Sequence, residues 1–338
     1  MKIMKKLITL SMLFLATALF AQEEEGSKVS ISGSVDTYYQ TVLSASDQTV
    51  QPNGGYAFGT SFADETGFAL GMANLIASYD GEKTGVVADV VFGPRGDAAI
   101  GGYNLNQLYA YWNVSESTTL TLGRWNTYLG YEVISPTGNF NYSTSYMFSS
   151  GPFSMVGLKA DFAFSDDFSL MLAVMNPTDY NNNFIGGYSF GAQLGFYGQY
   201  LNLYYDDNEV LGFEVDYTGG FDVTDSFFLG INAAYQTMEV DDVTGGFYGV
   251  ALYPQLGLSD SFDLGLRGEL FGYHEEDADD LPSVLSLTLT GSYSIENLTI
   301  KPEFRIDSWG NDFEPYLDND LMPTNSLSSI LLAAIYSF

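Results

Sequence analysis

The chain has 338 residues, no cysteine, and 42 acidic against 11 basic residues, for a formal net charge of −31 at pH 7. Without cysteine there is neither a disulfide framework nor thiolate chemistry, and such acidity argues against binding nucleic acid or anionic lipid through a basic surface. The 25 Tyr, 25 Phe and 36 Gly beside only 10 Pro suit closely spaced strands and tight turns.

The start reads as an export signal. Lys2, Lys5 and Lys6 precede an apolar run from Leu7 to Phe20, and Ala21 leads into Gln22-Glu23-Glu24-Glu25. A run of about 14 residues fits a cleaved leader and is too short to span a bilayer as a helix. Cleavage after Ala21 is expected, although Ala16-Thr17-Ala18 also offers a small-x-small site. The competing reading is a retained N-terminal anchor; a lipoprotein is excluded, because no cysteine follows the run. Residues 22–338 then form one domain, in which eight bases face 42 acids.

After the leader no stretch holds 18 consecutive apolar residues, so no membrane-spanning helix is expected. Helical periodicity is absent too, and two-residue alternation recurs instead. Val29, Ile31, Val35 and Tyr39 fall on one face and Ser30, Ser32, Ser34, Asp36 and Gln40 on the other. Leu108, Ala110, Trp112 and Val114 alternate with Gln107, Tyr109, Tyr111 and Asn113, and Leu158, Ala160 and Phe162 with Lys159 and Asp161. The same holds for Leu264 and Leu266 against Asp263, Arg267 and Glu269, and for Phe304 and Ile306 against Lys301, Glu303, Arg305 and Asp307. The pattern predicts strands over 29–42, 68–80, 84–95, 104–114, 118–128, 152–164, 168–176, 187–197, 200–205, 210–219, 226–238, 247–256, 261–273, 284–294, 297–308 and 327–338.

Alternation alone does not distinguish a membrane wall from a soluble sandwich. The connections do. Gly81–Lys83, Ser115–Ser117, Ser165–Asp167, Gly198–Gln199, Gly220–Asp225, Gly257–Asp260 and Ile295–Glu296 are short, whereas 43–67, 129–151, 177–186, 274–283 and 309–326 are long. Such alternation predicts an all-β fold, a transmembrane antiparallel β-barrel of about 16 strands (roughly 14–18) with short periplasmic turns and long extracellular loops. The end of the chain supports it: Ile330, Leu332, Ala334, Tyr336 and Phe338 alternate up to a terminal aromatic residue. Tyr336 and Phe338 resemble the signal that the barrel-assembly machinery reads, so that machinery and outer-membrane lipid are expected partners.

Leu120-Thr121-Leu122-Gly123-Arg124-Trp125, Leu129-Gly130-Tyr131-Glu132, Asn141-Tyr142-Ser143 and Met147-Phe148, with Phe92-Gly93-Pro94 and Leu105-Asn106-Gln107-Leu108-Tyr109 upstream, resemble the OmpL-like β-barrel porin family. The layout matches over roughly residues 29–338, and the specific motifs lie in 89–158. The resemblance implies an outer-membrane porin-like barrel and carries no catalytic set.

Where solutes would pass follows from the polar register. Charges facing lipid would cost about 2–4 kcal/mol for Arg or Lys near the midplane, so Asp36, Asp89, Arg95, Lys159, Asp161, Glu214, Asp216, Arg267, Glu269, Lys301, Glu303, Arg305 and Asp307 are expected to face inward. A wall of about 16 strands leaves room for a wet lumen, although the same residues could equally form salt-bridge ladders that hold the wall. Loop 129–151 is the candidate constriction, with Glu132 as its acid and Arg95, Arg124 and Lys159 as wall bases. The pore-lining set is therefore Asp89, Arg95, Arg124, Glu132, Lys159, Asp161, Arg267, Glu269, Lys301, Glu303 and Arg305. The loop acids Asp206, Asp207, Asp241, Asp242, Glu275, Glu276, Asp277, Asp279, Asp280, Asp318 and Asp320 predict mild cation selectivity. Weak Ca²⁺ or Mg²⁺ binding is the sharper reading of those acids and a solvated surface the plainer one; no metal site or cofactor is expected, since no run has EF-hand spacing.

An enzyme is not expected. The single histidine, His274, opens an acidic loop with no serine-nucleophile motif near it, and no glycine loop has phosphate-binding form. The expectation is passive diffusion of small hydrophilic solutes or ions. Its rival is a structural or surface-binding barrel with a closed lumen, whose loop aromatics Tyr142, Tyr146, Tyr180 and Trp309 would engage partners. A porin-sized chain commonly forms a homotrimer, though no segment marks an interface.

Overall fold

The computed structural model describes residues 29–44, 59–100, 103–207 and 209–338; the expected leader, residues 1–21, lies outside them. Residues with period-two alternation form strands throughout: β1 (Val29–Val42), β2 (Gly67–Asp80), β3 (Thr84–Phe92), β4 (Leu105–Ser115), β5 (Thr118–Asn126), β6 (Ser154–Ala163), β7 (Phe168–Met175), β8 (Ser189–Phe196) and β9 (Gln199–Asp206). They continue as β10 (Phe213–Thr224), β11 (Phe227–Val240), β12 (Val243–Ser259), β13 (Phe262–Glu275), β14 (Ser283–Ile295), β15 (Leu298–Trp309) and β18 (Ser326–Ser337), with a small pair β16 (Tyr316–Leu317) and β17 (Pro323–Thr324) inside one loop.

The sixteen long strands pair antiparallel with their chain neighbours and close into one barrel, sealed where β18 pairs with both β15 and β1. The seam runs from Ser34 opposite Ser337 to Val42 opposite Ser329. At its short-turn end Gly33 and Phe338 exchange two backbone hydrogen bonds of 3.0 Å. A Cβ at Gly33 would stand 2.4 Å from the Asn74 carbonyl oxygen and 2.8 Å from the Phe338 ring, so glycine is what admits the last residue there.

One register of the wall is apolar and exposed: Leu108, Leu122, Leu158, Leu172, Leu252, Leu287 and Leu332 are each 42–65% exposed, as suits a surface solvated by lipid. Aromatic side chains band it at both ends. Trp112, Phe164, Phe168, Tyr293 and Tyr336 lie near the short turns, and Tyr39, Phe68, Tyr205, Phe213, Tyr235 and Tyr248 near the long loops.

The structure departs from the sequence expectations at several places, among them the turn expected over Gly257–Asp260, which β12 carries on to Ser259. The strand expected over 84–95 ends at Phe92; Gly93, at φ 100°, turns the chain, and Pro94 opens a helix over Pro94–Ile100, a position where its missing N–H and fixed φ suit a helix start. Residues 239–246 are not a loop. Asp241 and Asp242, at φ 51° and 66°, make a two-residue hairpin turn of the primed kind between β11 and β12. β10 passes through Gly219 and Gly220, which moves the turn to Asp225–Ser226. A second short helix, Tyr146–Ser150, lies within the expected constriction loop.

Candidate functional site: the lumen and its infolded loop

Most of the wall charges fall on the register opposite the lipid. Asp36, Asp89, Glu214, Asp216, Arg267, Glu269, Lys301, Glu303, Arg305 and Asp307 are none more than 7% exposed. What buries many of them is the connection from β5 to β6, residues 127–153, which folds into the barrel. We call it L3.

The wall holds L3 largely by its backbone. Glu269, on β13, accepts hydrogen bonds from the Tyr146 amide at 3.0 Å and the Met147 amide at 2.8 Å. These are the first two amides of the helix Tyr146–Ser150, groups that the helix itself leaves unpaired and that favour a negative partner. Ser145 caps the same end, its Oγ accepting from the Phe148 amide. Glu303, on β15, takes the Tyr142 amide at 2.9 Å and the Ser143 amide at 3.3 Å, and also accepts from the Ser143 hydroxyl. The bases take the carbonyls. Arg267 donates to Ser143 O at 2.6 Å, Arg305 to Thr144 O at 3.0 Å, and Lys301 to Asn139 O.

Two further contacts hold the loop, one near its start and one at its middle. The Gly130 amide donates to Asp216, on β10, at 3.0 Å. The Tyr142 hydroxyl donates to Asp36, on β1. Apolar contacts back these up: Tyr131 stacks on Tyr253 with centroids 4.3 Å apart, and Tyr146 on Phe271 at 5.8 Å.

The expected partners of Glu132 are corrected. Its carboxylate pairs with Arg267 at 2.7 Å and accepts the Ser145 amide at 2.7 Å. Arg95 belongs to the helix Pro94–Ile100 rather than to a strand. It lies against L3, but bonds the carbonyls of Ile134 at 2.8 Å and Tyr142 at 3.3 Å and packs over the Phe62 ring. Arg124 shares the register of Leu120 and Leu122, and is buried at the loop end of β5, donating to Asn106 O and Asn181 Oδ1. Lys159 pairs with Asp161 at 2.8 Å. Asp89 is enclosed by the amides of Asn74, Asn106 and Gln107. Among the described residues, the remaining ion pair is Arg305–Asp307 at 2.9 Å.

Other loop features also differ. Tyr142 and Tyr146 lie inside the barrel at 0% and 2% exposure, and Trp309 at 7%, bonded to the Tyr316 hydroxyl at 3.1 Å, so these three are not offered to outside partners. Asp206 is buried, accepting from the Leu211 and Gly212 amides. His274 stacks on Tyr235 with centroids 4.7 Å apart, and its Nε2 meets the Gln236 carbonyl at 2.8 Å. No cluster of His, Cys, Asp and Glu suited to a metal occurs among the described residues.

L3 leaves part of the lumen open. A cavity of about 560 Å³ runs along β4–β8, lined by Tyr109, Tyr111, Trp125, Tyr128, Lys159 and Asp161 among others. A second, of about 410 Å³, lies between Pro136–Phe140 of L3 and Lys301 on β15. Sequence reasoning placed Tyr109 and Tyr111 on the polar face but missed that they line one cavity with Tyr128, backed by the buried Trp125 ring; their shared parity on adjacent strands was the available signal.

Among curated proteins, none matches the sequence. Similar solved structures include the outer membrane channel DcaP of Acinetobacter baumannii, with 12% identity over 92% of this chain and 97% of that one at a TM-score of 0.61. The trimer form of OmpT, an outer membrane protein of Vibrio cholerae, has 10% identity over 92% and 99% at 0.58. Pseudomonas putida OprB has 12% identity over 92% and 94% at 0.56. These likenesses are of fold. Residues 28–338 match the family described as "Putative beta-barrel porin-2, OmpL-like". With nearly the whole chain covered, the protein belongs to this family of outer-membrane β-barrel porins.

Proposed function

We propose that the barrel is a passive channel for small hydrophilic solutes or ions, narrowed by L3 and mildly selective for cations. The observation that carries this reading is the cavity of about 560 Å³, lined by Lys159, Asp161, Gln107 and Gln193 as well as by tyrosines, that L3 leaves along β4–β8. A purely structural barrel has no need of a wall whose inward register is charged and only half covered.

Cation preference rests on the balance of lumen charge. Asp36, Asp89 and Asp216 are held by amides and hydroxyls rather than by bases, so their charge is not cancelled locally. At the outer rim Asp207, Glu209, Glu239, Asp241 and Asp242 line one groove. Both features favour cations in the entrance and the lumen. A homotrimer is part of the proposal, by analogy with the trimeric OmpT form.

Single-channel recording in a planar bilayer tests the reading. Stable open steps with a cation-favouring reversal potential under a KCl gradient are expected. Insertion without conductance would overturn it in favour of a closed barrel, for which the extent of L3 anchorage is the supporting observation.

A further inference from the structure

We propose that the open cavity along β4–β8 is a binding subsite for neutral, polyhydroxylated solutes of the saccharide class. It rests on the channel reading only for how a solute arrives.

The site begins with a ladder of rings. Tyr109 and Tyr111 are two residues apart on β4, so both point into the lumen, separated by about 7 Å along the strand. On β5, Thr121 stands opposite Tyr111 and Gly123 opposite Tyr109, and at the next level the buried Trp125 ring backs the ladder. Gly123, at φ 140°, is what makes room: a Cβ there would lie 2.8 Å from the Tyr109 Cβ and 2.2 Å from the Leu108 carbonyl oxygen. Tyr128 of L3 crosses the head of the ladder, its hydroxyl donating to Leu203 O on β9 at 2.7 Å. The rungs thus climb from the short-turn mouth to the base of L3.

Ring faces recognise a solute that is apolar on one side and hydroxylated at its rim, which is the chemistry of a pyranose. The charge at the site agrees. Lys159 and Asp161 neutralise each other at 2.8 Å, and the Lys159 ammonium lies 5.9 Å from the Trp125 ring centroid, so the two charged side chains that line the cavity are paired with each other. The polar side chains of Gln107, Thr119 and Gln193 line the same cavity beside the rings.

The test is current block by a linear glucose trisaccharide against a poly(ethylene glycol) of matched size, in single channels. The trisaccharide is expected to half-block at a concentration at least ten-fold lower than the polymer. The double variant Tyr109→Ala/Tyr111→Ala should erase that difference while leaving channels open. Equal block by both probes, or an unchanged trisaccharide block in the double variant, overturns the proposal. If the barrel inserts without conducting, the channel reading fails by itself. Titration calorimetry of the trisaccharide into protein in an amine-oxide detergent, which carries no sugar headgroup, then decides the subsite: saturable binding lost in the double variant supports it, and no binding overturns it.

Discussion

The two sides of the lumen obey one rule and use it differently. On β13–β15, Arg267, Glu269, Glu303 and Arg305 are all engaged by L3 and all 4% exposed or less. On β6, Lys159 and Asp161 pair with each other, with side chains 23% and 40% exposed. Period-two alternation sends charge inward on both sides, but coverage decides what the charge does. A solvated pair contributes roughly 0–1 kcal/mol, whereas removing one partner of a buried pair costs about 3–5 kcal/mol. One wall is therefore an anchor and the other a surface left to solute and water.

The largest test of that contrast is Arg267→Ala. It leaves Glu132 buried and uncompensated, and should lower stability in detergent by about 3–5 kcal/mol, read by urea unfolding, with L3 freed and conductance raised. The double variant Arg267→Met/Glu132→Gln should recover most of that loss; an Arg267→Ala protein as stable as the parent would erase the distinction between the walls. Next comes Glu269→Ala, which strips two helix amides of their acceptor. A loss of about 1.5–3 kcal/mol is expected, with faster proteolysis between Glu132 and Ser150. On the open wall, Lys159→Ala should change stability by under about 1 kcal/mol, yet shift the reversal potential towards cations by removing a lumen base. Smallest is Asp241→Asn/Asp242→Gly, which keeps residues suited to the primed turn and should leave stability within about 0.5 kcal/mol. Its effect is a slight fall in cation preference, and no fall at all would separate the rim acids from selectivity.

The strands were legible because lipid enforces their pattern residue by residue, from Val29–Val42 to Ser326–Ser337. The strand count and the closed antiparallel order follow from it. Boundaries slipped where the alternation is interrupted by glycine, as at Gly219-Gly220 and Gly245-Gly246, because a residue without a side chain carries no face. The helix Pro94–Ile100 is too short to show a period. The partners of L3 were illegible for another reason: Glu132 meets Arg267, and Tyr142 meets Glu303, across more than a hundred residues of chain. Chain proximity pointed instead to Arg124 and Lys159. Because wall carboxylates and guanidiniums grip backbone amides and carbonyls, the loop's side chains hold little record of the contact.

The seam between Ser34 and Ser337 has a consequence for how the protein comes to exist. Its ladder joins the two ends of the chain, so it has nearly the greatest sequence separation the molecule allows, and forming it carries the largest loop-closure entropy. Every other pairing in the wall joins consecutive long strands and can zip up locally. Until the seam forms, β1 and β18 each present a row of unpaired amides and carbonyls, which hydrocarbon does not tolerate. Closure is therefore expected to come last and to be tied to entry into the bilayer. A chain shortened by one C-terminal strand would not become a narrower barrel; it would remain an open sheet with two adhesive edges, prone to aggregate before it reaches the membrane.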